Sequence, residues 1–204
     1  MLRVFGVYES GNCYKVRLLL EQLGLPYAWT EVDILHGGSH TPEFLARNPN
    51  GRVPVLEVEP GRFLPESNAI LHYLAEGTPY LPADRWDRAR VLQWMFFEQY
   101  SHEPFIATSR YWIHFLGQAE AYRAKLEEKR GPGLAALGVM EGHLAGQPFF
   151  AGDRYTVADI ALYAYTHVAP EGGFALEPFP AVRAWIERVR AQPGHVGMRE
   201  GLPS

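Results

Sequence analysis

An α/β domain followed by an all-α domain is the fold class predicted by this 204-residue sequence. Three observations carry that expectation. Residues 1–78 run through short apolar stretches and periodic helical ones in the order strand, helix, strand, hairpin, helix. The stretch GTPYLPAD then breaks the pattern with two prolines and a glycine, so residues 79–84 are read as a linker. From residue 85 to residue 204 almost every segment carries helical periodicity.

Each element has a local reason. Residues 2–7 form a short apolar strand, and residues 8–12 the turn after it. In the helix at 12–23, Val16, Leu19, Leu20 and Leu23 recur at helical spacing, and Gly24 with Pro26 ends it. A second strand at 27–32 leads to a Gly- and His-rich loop at 33–41 and a short helix at 42–47. Gly51 supplies a turn, and Val53-Pro54, a candidate cis peptide, halts the chain before an apolar strand at 55–58. Pro60-Gly61 turns it into a further strand at 62–64. Glu66-Ser67-Asn68 opens a helix whose Ile70, Leu71 and Leu74 share one face, and Gly77 closes it. That order is thioredoxin-like, with sheet and helices in layers.

In the second domain, residues 85–117 read as a long aromatic-rich helix that Pro104 should kink or interrupt. Residues 119–143 are helical but weakened at Gly131-Pro132-Gly133, and further helices start near Thr156 and span 180–191. Thr156 and Asp159 have the spacing of a capping box, in which hydroxyl and carboxylate each satisfy the other's backbone N–H. Its role is folding rather than chemistry.

Composition excludes several classes of function. A hydrophobic share of 47% is enough to bury a core, and a net charge of −4 without a basic run argues against nucleic acid as the main partner. A single cysteine rules out an internal disulfide and a four-cysteine metal cage, and it suits a reducing compartment. No apolar run approaches the length that spans a bilayer, and the N-terminus lacks a signal pattern, so a cytoplasmic protein without membrane contact is expected.

The chemistry converges on residues 48–78. A helix start with a Ser hydroxyl and unsatisfied N–H groups is an anion site, and Val53 lies where backbone can pair with an extended peptide. Each signal alone is ordinary, a capped helix and a loop. Together, Val53-Pro54 followed by Glu66-Ser67-Asn68-Ala69-Ile70 resembles the second half of the glutathione-binding domain of cytosolic glutathione S-transferases. The turn Ser10-Gly11-Asn12-Cys13 and the box after Phe149-Phe150-Ala151-Gly152-Asp153 extend the likeness over nearly the whole chain, with an active-site turn of bacterial, theta- or nu-like type.

The resemblance implies a transferase that conjugates the glutathione thiolate to a small electrophile, with detoxification as its setting and a homodimer as its assembly. Glutathione would be a co-substrate, with no cofactor and no metal. Three residues compete for the sulfur. Ser10 matches the catalytic serine of theta-, delta- and zeta-like enzymes; Asn12 matches an asparagine used in a bacterial branch with disulfide-reducing activity; Cys13 is the one thiol, and its place on the inner stripe makes it packing. Ser10 with help from Asn12 is the reading adopted. His40 and Arg52 would meet the glycine carboxylate, Val53 the cysteinyl backbone, and Glu66 with Ser67 the γ-glutamyl end. The electrophile pocket is expected between the domains, at Tyr8, His102 and Phe105. Rival readings are a glutathione-dependent disulfide-bond reductase working through Asn12 and a non-catalytic ligand carrier that keeps the fold.

Overall fold

A computed structural model describes residues 1–201, and the chain divides into two compact units. One is Met1–Glu76 together with a C-terminal segment that begins at Pro193; the other is Gly77–Gln192.

The first unit is built on a four-stranded mixed sheet in the order β2-β1-β3-β4. Strand β1 (Leu2–Gly6) runs parallel to β2 (Tyr27–Glu31), with Val4 opposite Trp29, and antiparallel to β3 (Val55–Glu59), with Val4 opposite Leu56. The hairpin partner of β3 is β4 (Arg62–Pro65). The Val53–Pro54 bond just before β3 is cis, as its place in the sequence predicts.

Two helices carry the functional turns. Helix α1 (Gly11–Leu23) is capped by Ser10 and ends at Gly24, which takes the left-handed conformation at φ 63°. Its sequence suggests a single apolar stripe, yet Cys13 to Leu20 are all buried, Lys15 and Arg17 included. The sheet is on one side: a Cβ on Gly6 would stand 3.0 Å from Cys13 Sγ, so a larger residue there would press on the helix. The later helix of the unit and the C-terminal segment occupy the other sides. The short α2 (Pro42–Leu45) starts at Thr41 and buries Phe44 in a cluster with Phe5, Val32 and Val55. Helix α3 (Ser67–Ala75) packs on α1 and buries Ile70, Leu71, Leu74 and Ala75.

The C-terminal segment, expected in the helical domain, belongs with the first unit for a specific reason. The almost fully buried guanidinium of Arg17 donates to the backbone carbonyls of Gly197, Met198 and Glu200, and the Tyr14 hydroxyl donates to Val196 O at 2.7 Å. Arg199 pairs with Glu9 beside the α1 turn. Residues 79–84, expected as a linker, are likewise part of a packed unit: Tyr80 O accepts from Val157 N at 3.0 Å, and Leu81 is buried.

The second unit is helical. Asp84 caps α4 (Arg85–Phe97), which runs into a π turn at Glu98–His102 and then α5 (Glu103–Arg110). Pro104 lies at the start of α5, and the regular helix is interrupted by the π turn directly before it, as the sequence reading of Pro104 expects. A second π turn, Tyr111–Phe115, ends this rod. Helix α6 (Arg123–Leu144) passes through Pro132 unbroken. Gly133 is buried there against Phe174, whose ring would lie 2.3 Å from a Cβ at that position. All ten residues of α7 (Val157–Thr166) are buried, and α8 (Pro180–Arg190) lays Val182, Trp185, Ile186 and Val189 into the same core. The capping box forms as the sequence predicts. The Asp159 carboxylate accepts from Thr156 N, from Phe150 N and from the Trp185 indole N–H, at 2.9–3.1 Å.

Candidate active site

The turn between β1 and α1 presents three chemically distinct groups. Ser10 takes extended backbone (φ −75°, ψ 124°), which lifts its half-buried side chain to the helix start, where Oγ accepts from Cys13 N at 3.5 Å. That contact uses a lone pair and leaves the hydroxyl proton to be donated. Asn12, one residue into α1, is also half-buried. Cys13 is wholly inside: Sγ accepts from Val7 N–H at 3.3 Å, and burial pushes the thiol up to about 12 in spite of that hydrogen bond. A thiol so placed neither ionises near neutrality nor reaches a ligand. Its place on the inner stripe foretold this.

The second edge of the site is the start of α3. Ser67 is its first residue, nearly buried, and its hydroxyl donates to Asn12 Oδ1 at 3.2 Å. The first turns of α1 and α3 therefore meet, and both aim helix N-termini at one region. Lys15 reaches the same oxygen, with Nζ 3.5 Å from Ser67 Oγ. Glu66, the N-cap, makes no capping hydrogen bond with its side chain and stands exposed at φ 71°, ψ 108°. Among the described residues it is the one non-glycine with positive φ. Such backbone costs on the order of 1–3 kcal/mol and gathers at ligand sites.

The remaining expected residues are divided between the two units. Val53 lies before β3, and among the described residues its backbone N–H and C=O take no hydrogen bond within the chain. Arg52 and His40 are both exposed, and the His40 ring rests against Gly51, with Nε2 3.0 Å from where a Cβ would stand. Tyr8 is half-buried, stacked on Trp29 at 4.4 Å, with the Arg17 guanidinium 5.3 Å from its ring centre. In the helical unit Phe105 is half-buried under the Lys129 ammonium, 5.6 Å from its ring.

His102, expected to line the electrophile pocket, departs from that expectation. It is fully buried, with Nε2 2.9 Å from Thr166 Oγ1, and offers no surface to a ligand. It closes the π turn Glu98–His102 and faces Thr166 of α7. Pro104 marked an interruption of the helix here, but not which way His102 would face.

Two residues near the site went unassigned in the sequence. Lys15 and Arg17 stand in α1 between apolar neighbours, and the available signal was that cations at both positions cannot share an ordinary solvent stripe with Val16 and Leu18 on either side.

The chain matches known proteins along both units. A model of the glutathione S-transferase N-terminal domain matches residues 4–80, and one of the C-terminal domain matches residues 94–193. A glutathione S-transferase from Pseudomonas fluorescens is 53% identical, with a TM-score of 0.95 over 97% of this chain and 98% of that one. A theta class glutathione S-transferase from Xanthomonas axonopodis pv. citri, solved with glutathione bound, is 27% identical, with a TM-score of 0.87 over 100% and 97% of the two chains. A disulfide-bond oxidoreductase of Escherichia coli is 32% identical over 192 residues, 89% of this chain and 87% of that protein. On sequence and architecture together, the chain belongs to the glutathione S-transferase family.

Proposed function

We propose that the protein is a glutathione transferase that joins the glutathione thiolate to a small electrophile, with Ser10 donating to the sulfur and Asn12 assisting. The observation that carries this reading is the meeting of the α1 and α3 N-termini, tied by the Ser67–Asn12 hydrogen bond, beside a Ser10 hydroxyl whose proton is available. A free thiol ionises near 8.5, and each unit of lowering requires about 1.36 kcal/mol. Bringing it to roughly 6.5 therefore takes about 2.7 kcal/mol. One hydroxyl donor to a charged sulfur supplies about 1.5–3 kcal/mol and a helix N-terminus about 0.3–1 kcal/mol. No general base is needed: the thiol proton leaves to solvent. With an aryl halide as electrophile, sulfur bonds to the ring carbon and the carbon–halogen bond breaks to release halide.

Around that sulfur, the γ-glutamyl end lies at Glu66 and Ser67, the cysteinyl backbone pairs with Val53, and the glycine carboxylate meets His40 and Arg52. Tyr8 and Phe105 contribute to electrophile binding. The test is thiolate absorbance against pH on the glutathione complex, alongside conjugation of an aryl halide. Ser10→Ala should raise the pKa of the bound thiol by one to two units, roughly 1.4–2.7 kcal/mol. An unchanged thiol pKa in that variant rejects the assignment.

A second reading, glutathione-dependent disulfide reduction through Asn12, is favoured by the place of Asn12 in the hydrogen bond to Ser67 and by the likeness to the Escherichia coli oxidoreductase. Faster turnover of a small disulfide than of any aryl halide, abolished by Asn12→Ala and spared by Ser10→Ala, would favour it over the transferase. We further propose a cytoplasmic homodimer. Trp86, Phe96 and Tyr100, at 71%, 70% and 85% exposure, put three large aromatic side chains into water on α4 and the π turn after it.

A further inference from the structure

We propose that Lys15 is a positioning residue of the glutathione site, and that its buried ammonium acts through the Ser67 hydroxyl on the carboxylate of the γ-glutamyl end. The proposal rests on the transferase reading above and adds to it a residue and a specificity: recognition of that carboxylate rather than of the peptide as a whole.

Lys15 is 0% exposed, in the second turn of α1. Lysine is almost never buried so completely, because removing an ammonium from water is costly unless polar partners replace the hydration. One of those partners is Ser67 Oγ, at 3.5 Å. An ammonium donates and cannot accept, so Ser67 Oγ accepts from it, and the serine's single proton is left for another acceptor. That acceptor is Asn12 Oδ1, at 3.2 Å, and a ligand carboxylate would take the same proton by displacing the amide oxygen. The result is a directed relay, Lys15 to Ser67 to Asn12.

Two physical consequences follow at the α3 N-terminus. A hydroxyl that accepts from a cation becomes a stronger donor, since consecutive hydrogen bonds polarise one another. A ligand carboxylate within hydrogen-bond range of Ser67 Oγ would also lie within about 6 Å of the ammonium, with protein rather than water between the charges. The α3 start already offers backbone N–H groups to an anion, and Lys15 supplies the full positive charge that peptide dipoles lack. Glu66 beside Ser67 is acidic and exposed, which suits the ammonium end of the same γ-glutamyl group. A residue that merely pinned α1 to α3 would support every ligand of the site equally. One that acts on the carboxylate would distinguish ligands that carry it from ligands that do not.

That difference is the test. Binding of glutathione and of 4-aminobutyryl-cysteinyl-glycine, which lacks only that carboxylate, is measured by calorimetry on the intact protein and on Lys15→Met. The variant should bind glutathione about ten- to a hundredfold more weakly and the analogue within about threefold of the parent. Equal losses on both ligands, or unchanged affinity for glutathione, overturn the proposal. Failure of the parent protein to bind glutathione overturns the transferase reading instead. Should Lys15→Met not fold, the parent protein with nitrogen-15-labelled lysine gives the answer by NMR. The side-chain signals of Lys15, Lys125 and Lys129 are assigned with Lys125→Arg and Lys129→Arg. The Lys15 signal should move with glutathione and much less with the analogue, and an equal response to both overturns the proposal.

Discussion

Cys13 shows how one burial decides chemistry. Its ordinary value of 9.0 is pushed up to about 12, so the folded chain holds the thiol proton where the unfolded chain releases it. Between pH 9 and 12 the native state therefore binds more protons than the unfolded state, and stability falls as pH rises. Relative to Cys13→Ala, the protein should lose about 1.4 kcal/mol between pH 7 and pH 10, read from urea unfolding at each pH. A difference that stays flat over that range would mean the thiol is more open than its surroundings indicate. Glu66 is the converse case, a residue strained where a ligand is expected. Glu66→Gly should relieve the left-handed backbone and raise stability by about 1 kcal/mol, while weakening glutathione binding. A loss of stability on this substitution would show that the φ of 71° carries no strain.

At the scale of elements, the helix starts do the arranging. Ser10 sets the α1 start, the strained Glu66 sets the α3 start, and the packing of α1 on α3 brings Asn12 to Ser67. In the helical unit the corresponding feature is the Thr156–Asp159 box, where one carboxylate joins the α7 start to Phe150 and to Trp185 of α8. Asp159→Ala removes the acceptor for three buried N–H donors at once, and for the Thr156 hydroxyl besides. Unsatisfied buried groups cost about 1–3 kcal/mol each, so chemical denaturation should show a loss of at least about 3 kcal/mol. A loss under 1 kcal/mol would show that water or a neighbouring carbonyl replaces the carboxylate. Glutathione affinity, for which the proposed site lies in the other unit, should change little in any variant that still folds.

For the whole molecule, the aromatic surface of α4 and the following π turn bears on assembly. Phe96→Glu with Tyr100→Glu places two charges where a dimer contact is proposed, and sedimentation should then report a monomer where the parent protein reports a dimer. A parent protein that is monomeric at micromolar concentration would reject the homodimer. The C-terminal segment is a second feature of this scale. Residues far along the chain return to α1 because the buried Arg17 needs acceptors, and three backbone carbonyls of that segment supply them. A cation buried in one unit thereby helps, with Tyr14 and Glu9, to hold the end of the described chain.

The two-domain fold class, the order of strands and helices, the Val53–Pro54 turn and the Asp159 box could be read in the sequence, because each depends on rules that act within a few residues. Periodicity, N-caps, glycine and proline at turns, and the spacing of Thr156 and Asp159 need no knowledge of distant parts of the chain. Burial does need it, since a side chain is inside or outside according to what covers its face. The sheet, α3 and the returning C-terminal segment surround α1, so Lys15 and Arg17 lie within the protein although their residue types belong at its surface. Pro104 marked the interruption before α5, but the burial of His102 against Thr166 depends on how α7 packs there, which neighbouring residues do not state. The meeting of Asn12 with Ser67, fifty-five positions apart in sequence, likewise required two helices to pack before the polar atoms could find each other.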